Sequence, residues 1–404
     1  MEIIADLHIH SKYSRATSYN LTFDNLEKWA KIKGLNLLGT GDFQHPLWRK
    51  EIAEKLVEDD KGILRSKTGF PFVWQTEISL MFSDGKRRRA IHLVVLSPNG
   101  KTSDKIIAFL GSRGRLDYDG RPIFGIKPEE LVRELKNIDD KIEIIPAHCM
   151  TPWFGLFGSN SGFDSLKECF GNEVEKIYAV ESGMSADPGM LWRLKEKVNI
   201  VSFSDSHSFW PWRLGREATI FDIPELSYDN LINAIRTGYG LRGTIETPPE
   251  YGKYHFDGHR LCGFSSSPAE TKKLGGKCPV CGKQLTLGVE YRIEELAKEK
   301  EGYKPKNGKM YYKLVPLHEL IALCIESKPE TKKSWAIYDN LIKLFRNELY
   351  ILLNVSKEEL LKNKVDEKLS ELIILNREGK IKVKPGFDGE YGKVLMPEKQ
   401  KKLF

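Results

Sequence analysis

Short apolar runs alternate with amphipathic stretches over the first 245 residues of the chain. The amphipathic stretches repeat apolar residues every three or four positions, which predicts helices over 23–33, 128–137 and 188–197. The apolar runs predict β-strands over 2–6, 35–40, 72–79, 90–96, 142–146, 176–181, 199–204 and 218–221. These repeated strand–helix units predict an α/β fold and favour a barrel of parallel strands over an open nucleotide-binding sheet. No glycine-rich phosphate loop follows the first strand, which also disfavours nucleotide binding.

The pattern changes after residue 245. The segment from Gly243 to Gly252 contains two consecutive prolines and predicts a linker. Apolar periodicity returns later and predicts helices over 317–325, 335–353 and 357–374, followed by a small hairpin or extended arm over 380–396. We therefore predict three parts: a barrel over 1–245, a small cysteine-bearing module over 253–313 and a mainly helical region over 314–404.

The composition is that of an ordinary globular protein, with 40% hydrophobic and 29% charged residues. No run of 18 apolar residues is present, and Met1-Glu2 leads directly into a strand, so we expect neither a membrane span nor a secretory signal. Six cysteines are too few for a disulfide scaffold, which favours a reducing cytoplasm. Abundant lysine and glutamate are typical of thermophilic proteins.

The net charge of +7 is concentrated in one segment of the chain. Residues 253–313 contain 13 lysine or arginine residues against 7 acidic residues. A basic module of this kind predicts a polyanionic partner such as nucleic acid.

Histidines and carboxylates stand where the predicted strands end. His8 and His10 follow the first strand and point to the same side of an extended chain, so they can share one metal ion. Asp205 and His207 repeat this spacing after the strand near residue 200. The further candidates at strand ends are Asp42, Glu77, His92 and His148. Because the carboxyl ends of parallel strands meet at one face of a barrel, we expect a centre of two or three divalent metals, such as zinc, manganese or magnesium.

Some of these positions allow another interpretation. Alone, His92 or His148 is more often a core histidine than a metal ligand. Asp42 and His45 are alternative ligands in one short segment, and we favour Asp42 because it is nearer the strand end. For catalysis we select three residues, namely Asp205, which would face the attacking water, Glu77, which would bridge ions, and His148.

The basic segment contains a second candidate metal site. Cys278 and Cys281 form a CxxC motif followed by glycine, which leaves room for backbone amides to turn toward the sulfurs. Cys262 supplies a third ligand, and the fourth is His259, which has the matching two-residue gap, or His255. We expect a structural zinc ion here, because the segment is too small to have a core of its own.

Aromatic and basic residues follow the metal-site motifs in loops. Rings at Trp153, Phe154 and Trp210 could stack on bases, although packing beneath long loops explains any one of them equally well. Arginines could grip phosphates in the same region, and the candidates are Arg113, Arg115 and Arg213.

These motifs resemble the polymerase-and-histidinol-phosphatase (PHP) phosphoesterase superfamily. That resemblance rests on the HxH of His8 and His10, a central Glu77, two single histidines and the DxH of Asp205 and His207. It implies a distorted (β/α)7 barrel that holds up to three metal ions and hydrolyses phosphoesters. The chain departs from the pattern at Ser14-Arg15, where a third ligand is usual, and at Thr40-Gly41-Asp42-Phe43, where Thr-Asp-His is usual.

The whole chain also resembles the endonuclease Q family. The segments that carry the likeness are GTGDFQHP at 39–46, FDGHRLCG at 256–263 and CPVCGKQLTLGV at 278–289, together with the helical tail. The resemblance implies a nucleoid-associated prokaryotic DNA-repair endonuclease that incises 5′ to uracil, hypoxanthine, xanthine and abasic sites. Such an enzyme would turn the damaged base out of the helix to read it.

Two other functions and one further partner remain open from the sequence. The barrel alone permits a phosphatase for a small phosphoester, and the basic module alone permits a DNA-binding protein with an inert barrel. The basic module argues against the first, and the nearly complete ligand set argues against the second, because buried carboxylates without metal are costly. Residues 400–404, Gln-Lys-Lys-Leu-Phe, begin like a sliding-clamp binding motif, although an ordinary basic tail has the same composition.

Overall fold

A computed structural model describes residues 1–396 of the chain. The strands, numbered β1 to β17 in chain order, are Glu2–Asp6, Leu37–Gly39, Val57–Glu58, Leu64–Arg65, Pro71–Asp84, Arg87–Ser97, Ile123–Phe124, Glu143–Pro146, Ala179–Glu181, Asn199–Val201, Ala218–Asp222, Leu241–Glu246, Asp257–His259, Phe264–Ser266, Met310–Lys313, Val383–Lys384 and Lys393–Val394. The α-helices, numbered α1 to α14, are Phe23–Lys33, Pro46–Lys55, Gly100–Arg113, Pro128–Ile138, Leu166–Phe170, Pro188–Trp192, Tyr228–Thr237, Pro268–Lys273, Val289–Leu296, Leu317–Cys324, Lys332–Phe345, Glu348–Leu353, Lys357–Lys362 and Glu367–Arg377. Short 3₁₀ turns lie at Gly171–Lys176, Gly183–Ser185, Pro249–Tyr251 and Arg260–Cys262.

Most strands of the first part of the chain belong to one mixed central sheet. Within residues 1–396 this sheet has 11 strands, with β15, β12, β11, β1, β2, β5, β4 and β3 in that order, while β6 and β7 pair with β5, and β8 pairs with β6. The β1–β2 and β2–β5 pairs are parallel, whereas the long β5–β6 hairpin is antiparallel. β9 and β10 form a separate parallel pair. The α/β prediction is confirmed, while the closed barrel of parallel strands remains a prediction.

Backbone hydrogen bonds between loops bring the ends of several strands together. The Cys149 amide donates to Glu181 O at 2.9 Å, which joins the end of β8 to the end of β9. The His10 amide donates to Ser206 O at 3.0 Å, which joins the segment after β1 to the segment after β10. The residues that follow β1, β8, β9 and β10 therefore meet on one side of the molecule.

Helix α1 shows how local sequence sets an element boundary. The Thr22 side chain accepts a hydrogen bond from the Asn25 amide at the start of the helix. Gly34 ends it in the left-handed region, at φ 103°, where a side chain on Cβ would be strained. The predicted bounds of 23–33 are confirmed because both cap residues are visible in the sequence.

The predicted linker between Gly243 and Gly252 is wrong in its first half. Leu241–Glu246 is strand β12, which pairs antiparallel with β11 and parallel with β15. Gly243 marks a close approach between strands, because a Cβ there would collide with the Met310 carbonyl. Strand β15 belongs to the predicted cysteine-bearing module by sequence and to the main sheet by pairing.

The predicted helix over 188–197 is also wrong in length, because α6 stops at Trp192 and Lys195 adopts φ 56°.

Two of the helices predicted in the C-terminal region are each divided into two in the structure. Arg346 at φ 80° and the capping side chain of Asn347 separate α11 from α12. Asp366 caps α14 in the same way and separates it from α13. These breaks lie at single residues within otherwise continuous apolar periodicity.

The C-terminal hairpin is present and packs back on the middle of the chain. Strands β16 and β17 pair antiparallel, and the Phe256 amide donates to Gly386 O at 3.0 Å. None of the helices in residues 1–396 has the length and apolar character needed to cross a bilayer. The predicted clamp-binding segment at 400–404 lies outside the described residues.

Candidate active site

Two groups of metal-binding side chains meet at Glu77. The first contains His8, His10, Glu77 and Asp205, and the second contains Glu77, His92 and His148. Within each group the ligand atoms lie within 4.8 Å of one another. The carboxylate of Glu77 is fully buried and belongs to both groups.

The strands determine which side chains enter the site. His8 and His10 follow β1 with Ile9 between them, and both histidines and the isoleucine are fully buried. Glu77 lies within β5, and His92 lies on β6 opposite Ser79, two residues from Glu77 and on the same face. His148 and Asp205 stand just after β8 and β10 with φ of 31° and 49°. This left-handed backbone is uncommon outside glycine and is typical of functional sites.

His8 is oriented by a carboxylate that the sequence analysis missed. Its Nδ1 donates to Glu181 Oε1 at 2.9 Å, since a carboxylate can only accept. In the neutral ring, which is the form that binds a metal ion, Nε2 therefore carries the lone pair, and this atom is buried with no hydrogen-bond partner within residues 1–396. His8 Nε2 lies 3.6 Å from Glu77 Oε1 and 3.6 Å from Asp205 Oδ1. A buried, unpartnered nitrogen facing two carboxylates fits a cation, and Glu181 supplies the outer hydrogen bond that metal-binding histidines usually make.

His10 has the same arrangement with Asp42. His10 Nδ1 donates to Asp42 Oδ1 at 3.1 Å, and His10 Nε2 lies 3.0 Å from Asp205 Oδ1. Both oxygens of Asp42 are already engaged, because Oδ2 accepts from the Ser11 amide at 2.6 Å and from Ser14 Oγ at 2.9 Å. Asp42 is therefore placed to orient His10, and it belongs to neither group of ligand atoms, so its ligand role stays a prediction.

His45, the alternative to Asp42, also lies outside both groups of ligand atoms. Its ring stacks on Tyr13 with centroids 4.6 Å apart, and it precedes the first residue of α2. His207 lies closer to the site, because its Nε2 is 3.6 Å from Asp205 Oδ1 and its Nδ1 donates to the Arg15 carbonyl at 3.2 Å. His207 belongs to neither group of ligand atoms, yet its lone pair faces the same carboxylate.

The second group has its own internal contacts. His92 Nδ1 lies 2.8 Å from Glu77 Oε1 and 3.2 Å from His148 Nε2. Burial lowers the pKa of His92 to about 4, so its imidazole is neutral, which is the form that binds a metal ion. Burial alone would raise the pKa of Glu77, but the charge of Arg121 and the hydrogen bond with His10 outweigh it and hold that pKa well below its usual range.

Arg121 is the second residue that sequence reasoning missed. Its Nη1 donates to Glu77 Oε2 at 3.0 Å, and its side chain is 29% exposed. It lies in the irregular segment before β7, which places it at the rim of the site. Its neighbour Gly120 allows this approach, because a Cβ there would collide with Asp42 and Ser14. No periodicity or motif in the sequence distinguishes Arg121 from the other arginines of that loop.

The cysteine-bearing segment brings its four predicted ligands together. Ligand atoms of His259, Cys262, Cys278 and Cys281 lie within 4.8 Å of one another. Cys281 Sγ lies 3.4 Å from His259 Nδ1. Burial would raise the pKa of Cys278, but the Cys281 and Val280 amides point toward its sulfur and lower that pKa to about 7. A sulfur–imidazole set of this kind fits a metal ion.

The alternative ligand His255 lies elsewhere. It is buried with its Nε2 3.6 Å from Glu290 Oε2. Of the two alternatives that the sequence left open, the geometry therefore favours His259.

The side chains predicted to contact nucleic acid have several different environments. Trp153 is 40% exposed, whereas Phe154 stacks on His92 with centroids 4.5 Å apart. Trp210 packs against Trp29, Trp212 and Trp335, which supports its interpretation as a packing residue. The three predicted arginines are all engaged: Arg113 with Glu130 at 3.0 Å, Arg115 with Asp117 at 3.0 Å, and Arg213 over the Tyr391 ring at 5.9 Å.

Comparison with solved structures identifies the family. The crystal structure of the lesion-specific endonuclease PfuEndoQ from Pyrococcus furiosus superposes with a TM-score of 0.88 and 32% identity. The alignment covers 98% of this chain and 96% of that chain. This chain belongs to the endonuclease Q family. It is therefore a hydrolase, and the imidazole and carboxylate groups around Glu77 make it a metal-dependent one.

Other similarities agree with membership of the endonuclease Q family. The structure of endonuclease Q in complex with a 27-mer duplex substrate that has an abasic lesion at the active site gives a TM-score of 0.86 and 31% identity, over 99% of this chain and 98% of that chain. Residues 316–380, which contain helices α10 to α14, match the model of the MJ0043 C-terminal domain. Protein MJ0043 of Methanocaldococcus jannaschii is 36% identical over 265 residues, which is 62% of this chain and 32% of that protein. The match thus spans about a third of the length of MJ0043.

Proposed function

We propose that this chain is a DNA-repair endonuclease that hydrolyses the phosphodiester 5′ to deaminated bases and abasic sites. The observation that carries the proposal is the convergence of four imidazoles and one carboxylate on Glu77, in a chain that aligns end to end with PfuEndoQ. That relative is described as lesion-specific, and another is seen with a duplex that holds an abasic lesion. The preference for uracil, hypoxanthine or xanthine is part of the proposal.

The residues of the site would have distinct roles in this reaction. His8, His10, Glu77, His92, His148 and Asp205 would hold divalent cations. When bound, such ions neutralise phosphodiester oxygens and lower the pKa of water. Asp205 is the member of the set at the rim, with 31% of its side chain exposed, so it would orient the attacking water and accept its proton. Glu77 and His148 would fix the spacing between the two groups, since they lie 3.2 Å apart.

The rest of the molecule supports a polyanionic substrate. The segment over 253–313 is basic, and we infer that it binds a structural zinc ion through His259, Cys262, Cys278 and Cys281. We also infer that the mixed sheet and the β9–β10 pair form the distorted (β/α)7 barrel of PHP phosphoesterases, because loop hydrogen bonds join their ends.

An incision assay tests the proposal. Wild-type protein and Asp205→Asn are incubated with Mn²⁺ or Zn²⁺ and end-labelled duplexes that contain one uracil, one hypoxanthine, one abasic site or no lesion. We expect wild-type protein to nick each damaged strand and Asp205→Asn to lose at least about 100-fold in rate, as a residue close to the reacting atoms does. Asp222→Asn is the matched control, because Asp222 is exposed and lies at the opposite end of the sheet.

One result would contradict the proposed endonuclease function. Hydrolysis of a simple phosphomonoester without incision of any damaged duplex would exclude the endonuclease and favour a small-molecule phosphatase.

A further inference from the structure

A chamber of polar side chains lies inside the fold, on one face of strands β11 and β12. Glu217 directly precedes β11 and alternates with Thr219, while Thr244 and Glu246 alternate along β12. Thr219 pairs with Thr244, so all four side chains share one face of the sheet. All four are buried. Carboxyl and hydroxyl groups therefore stand where an interior face is usually apolar, and each of them needs a polar partner.

Two serines orient the carboxylate of Glu246. Ser182 Oγ donates to Glu246 Oε2 at 2.9 Å, and Ser202 Oγ donates to the same oxygen at 2.8 Å. The serines directly follow β9 and β10, and Ser182 adjoins Glu181, the residue that orients His8. Each hydroxyl gives its hydrogen to an acceptor and keeps its oxygen lone pairs. The chamber thus adjoins the active site and shares none of its two groups of ligand atoms.

Three oxygen atoms of the chamber have no hydrogen-bond partner within residues 1–396. They are Glu217 Oε2, Glu246 Oε1 and Thr244 Oγ1. The three residues are at most 2% exposed. A buried oxygen without a partner is costly, and buried polar groups are almost always satisfied by protein, water or an ion. Three such atoms on one face indicate that a ligand belongs between them.

The two carboxyl groups of the chamber repel each other. Burial and the charge of Glu217 raise the pKa of Glu246 well above its usual range, although the nearby hydroxyl of Thr244 acts to lower it. Burial also raises the pKa of Glu217 to about 8, and the charge of Arg216 does not outweigh it. Arg216 Nη2 donates instead to the Ser204 carbonyl at 3.1 Å. Two carboxyl groups in this position share a proton unless a cation neutralises them.

A cleft on the outside of the molecule reaches the chamber at Thr244. The cleft has a volume of about 960 Å³, and Thr244 is one of its lining residues. Tyr178 and Val198, which precede β9 and β10, also line it. The active site lies beyond the other ends of these two strands. An ion can therefore enter the chamber without passing through the active site.

The donor atoms of the chamber determine which ion fits. Carboxylate and hydroxyl oxygens are ligands of hard cations, and two carboxylates neutralise a divalent one. Mg²⁺ demands octahedral geometry and usually keeps several waters, whereas Ca²⁺ accepts many protein oxygens in irregular geometry. An enclosed chamber lined by oxygen atoms on several strands therefore suits Ca²⁺ better.

We propose that Glu217, Glu246 and Thr244 bind one Ca²⁺ ion inside the fold, with the hydroxyl oxygens of Ser182 and Ser202 beside it. The ion is structural, because the chamber is buried away from any substrate. It joins the ends of β9 and β10 to β11 and β12. The site goes beyond the proposed endonuclease function, and its test needs no DNA.

Metal analysis tests the site directly. Wild-type protein and variants are incubated with Zn²⁺ and Ca²⁺ above pH 8, where Glu217 can release its proton, and are then desalted. Mass spectrometry of the elements counts both metals, and Zn²⁺ occupies the histidine and cysteine groups. We expect about one calcium per chain in wild-type protein and less than about a tenth of that in Glu246→Gln, which loses a ligand charge. Thr244→Val, which loses only a hydroxyl, should retain less calcium than wild type.

Two controls locate the calcium. Glu225→Gln, at an exposed carboxylate, should keep the calcium, and so should Asp205→Asn, which changes the active site alone. The zinc content of each variant reports whether it has folded. Where Glu246→Gln does not fold, Glu217→Gln gives the same test, because it removes the other carboxylate of the chamber.

Thermal unfolding gives a second measurement. Adding Ca²⁺ to zinc-loaded protein should raise the Tm of wild type and of Glu225→Gln by about 3 °C or more at a hundredfold excess over Kd. The Tm of Glu246→Gln should stay within about 1 °C, because an ion that does not bind the folded state cannot stabilise it.

Three results would overturn the calcium site. Absence of calcium from wild-type protein, with an unchanged Tm, would show that water alone fills the chamber. Equal calcium in wild type and Glu246→Gln would place the ion elsewhere on the surface. Loss of calcium from Asp205→Asn would place it in the active site.

Discussion

At the scale of single residues, two carboxylates outside the ligand groups determine how the histidines face the site. Glu181 accepts from His8 Nδ1, and Asp42 accepts from His10 Nδ1, so both Nε2 lone pairs turn toward Glu77. The HxH and DxH spacings in the sequence predict which histidines lie in the site. It does not predict Glu181, whose partner lies 173 positions away and whose only signal is its place at the end of a strand.

Loss of Glu181 should weaken metal binding without removing any ligand. We expect Glu181→Gln to lower affinity for Mn²⁺ by about 10- to 100-fold, the usual effect of an outer carboxylate, because His8 loses the charge that fixes its tautomer. Titration calorimetry on metal-free protein measures this affinity. Glu225→Gln, at an exposed carboxylate, is the control, and equal affinities for the two variants would contradict the orienting role.

At the scale of elements, most strands and helices follow from the apolar pattern, and the failures have local causes. Gly243 and the two prolines predict a linker where the structure has strand β12, because the glycine there permits the close approach of the β15 backbone. Strand pairing also creates a contact that no sequence pattern reveals. Ala218 pairs with Ile245, so the next residues, Glu217 and Glu246, face each other between β11 and β12 with both side chains fully buried.

This buried pair predicts a pH dependence of stability. Burial raises the pKa of Glu217 to about 8, above the usual value near 4.5, so the folded state holds a proton that the unfolded state releases. Wild-type stability should therefore fall as pH rises from about 4.5 to about 8, and then level off. Glu217→Gln removes this cost, and we expect it to add ~4 kcal/mol at pH 8 relative to wild type and almost nothing at pH 4.

Thermal unfolding at a series of pH values measures the effect. A difference in Tm between Glu217→Gln and wild type that grows with pH supports the shared burial of the two carboxyl groups. A difference that is constant or shrinks with pH contradicts it.

At the scale of the whole molecule, a buried ion pair joins the helical tail to the first helix. Glu348 accepts from Lys33 Nζ at 2.7 Å, from the Leu317 amide at 3.0 Å and from Tyr338 Oη at 2.8 Å. Lys33 Nζ also donates to Pro211 O at 2.7 Å, in the segment that follows Asp205 and His207. The tail therefore supports the loop of the active site. The apolar pattern could predict the tail helices but not this attachment, because its partners are 315 positions apart.

Breaking this pair should destabilise the molecule strongly. We expect Glu348→Ala to cost about 3–5 kcal/mol, because Lys33 remains buried without its partner. Urea unfolding followed by tryptophan fluorescence measures the change, and Glu359→Ala, at an exposed position in α13, is the control. Equal midpoints for the two variants would show that the tail is attached by other contacts.

The central claim is that the groups around Glu77 carry out metal-dependent incision beside a damaged base. Its most direct test maps the nick on a 5′-labelled duplex with one uracil, using wild-type protein, Glu77→Gln and Glu225→Gln with Mn²⁺ and with chelator. We predict one cut at the phosphodiester 5′ to the uracil for wild-type protein and Glu225→Gln, and none with Glu77→Gln or chelator. A cut that persists in Glu77→Gln, or that appears equally in undamaged duplex, would contradict the account.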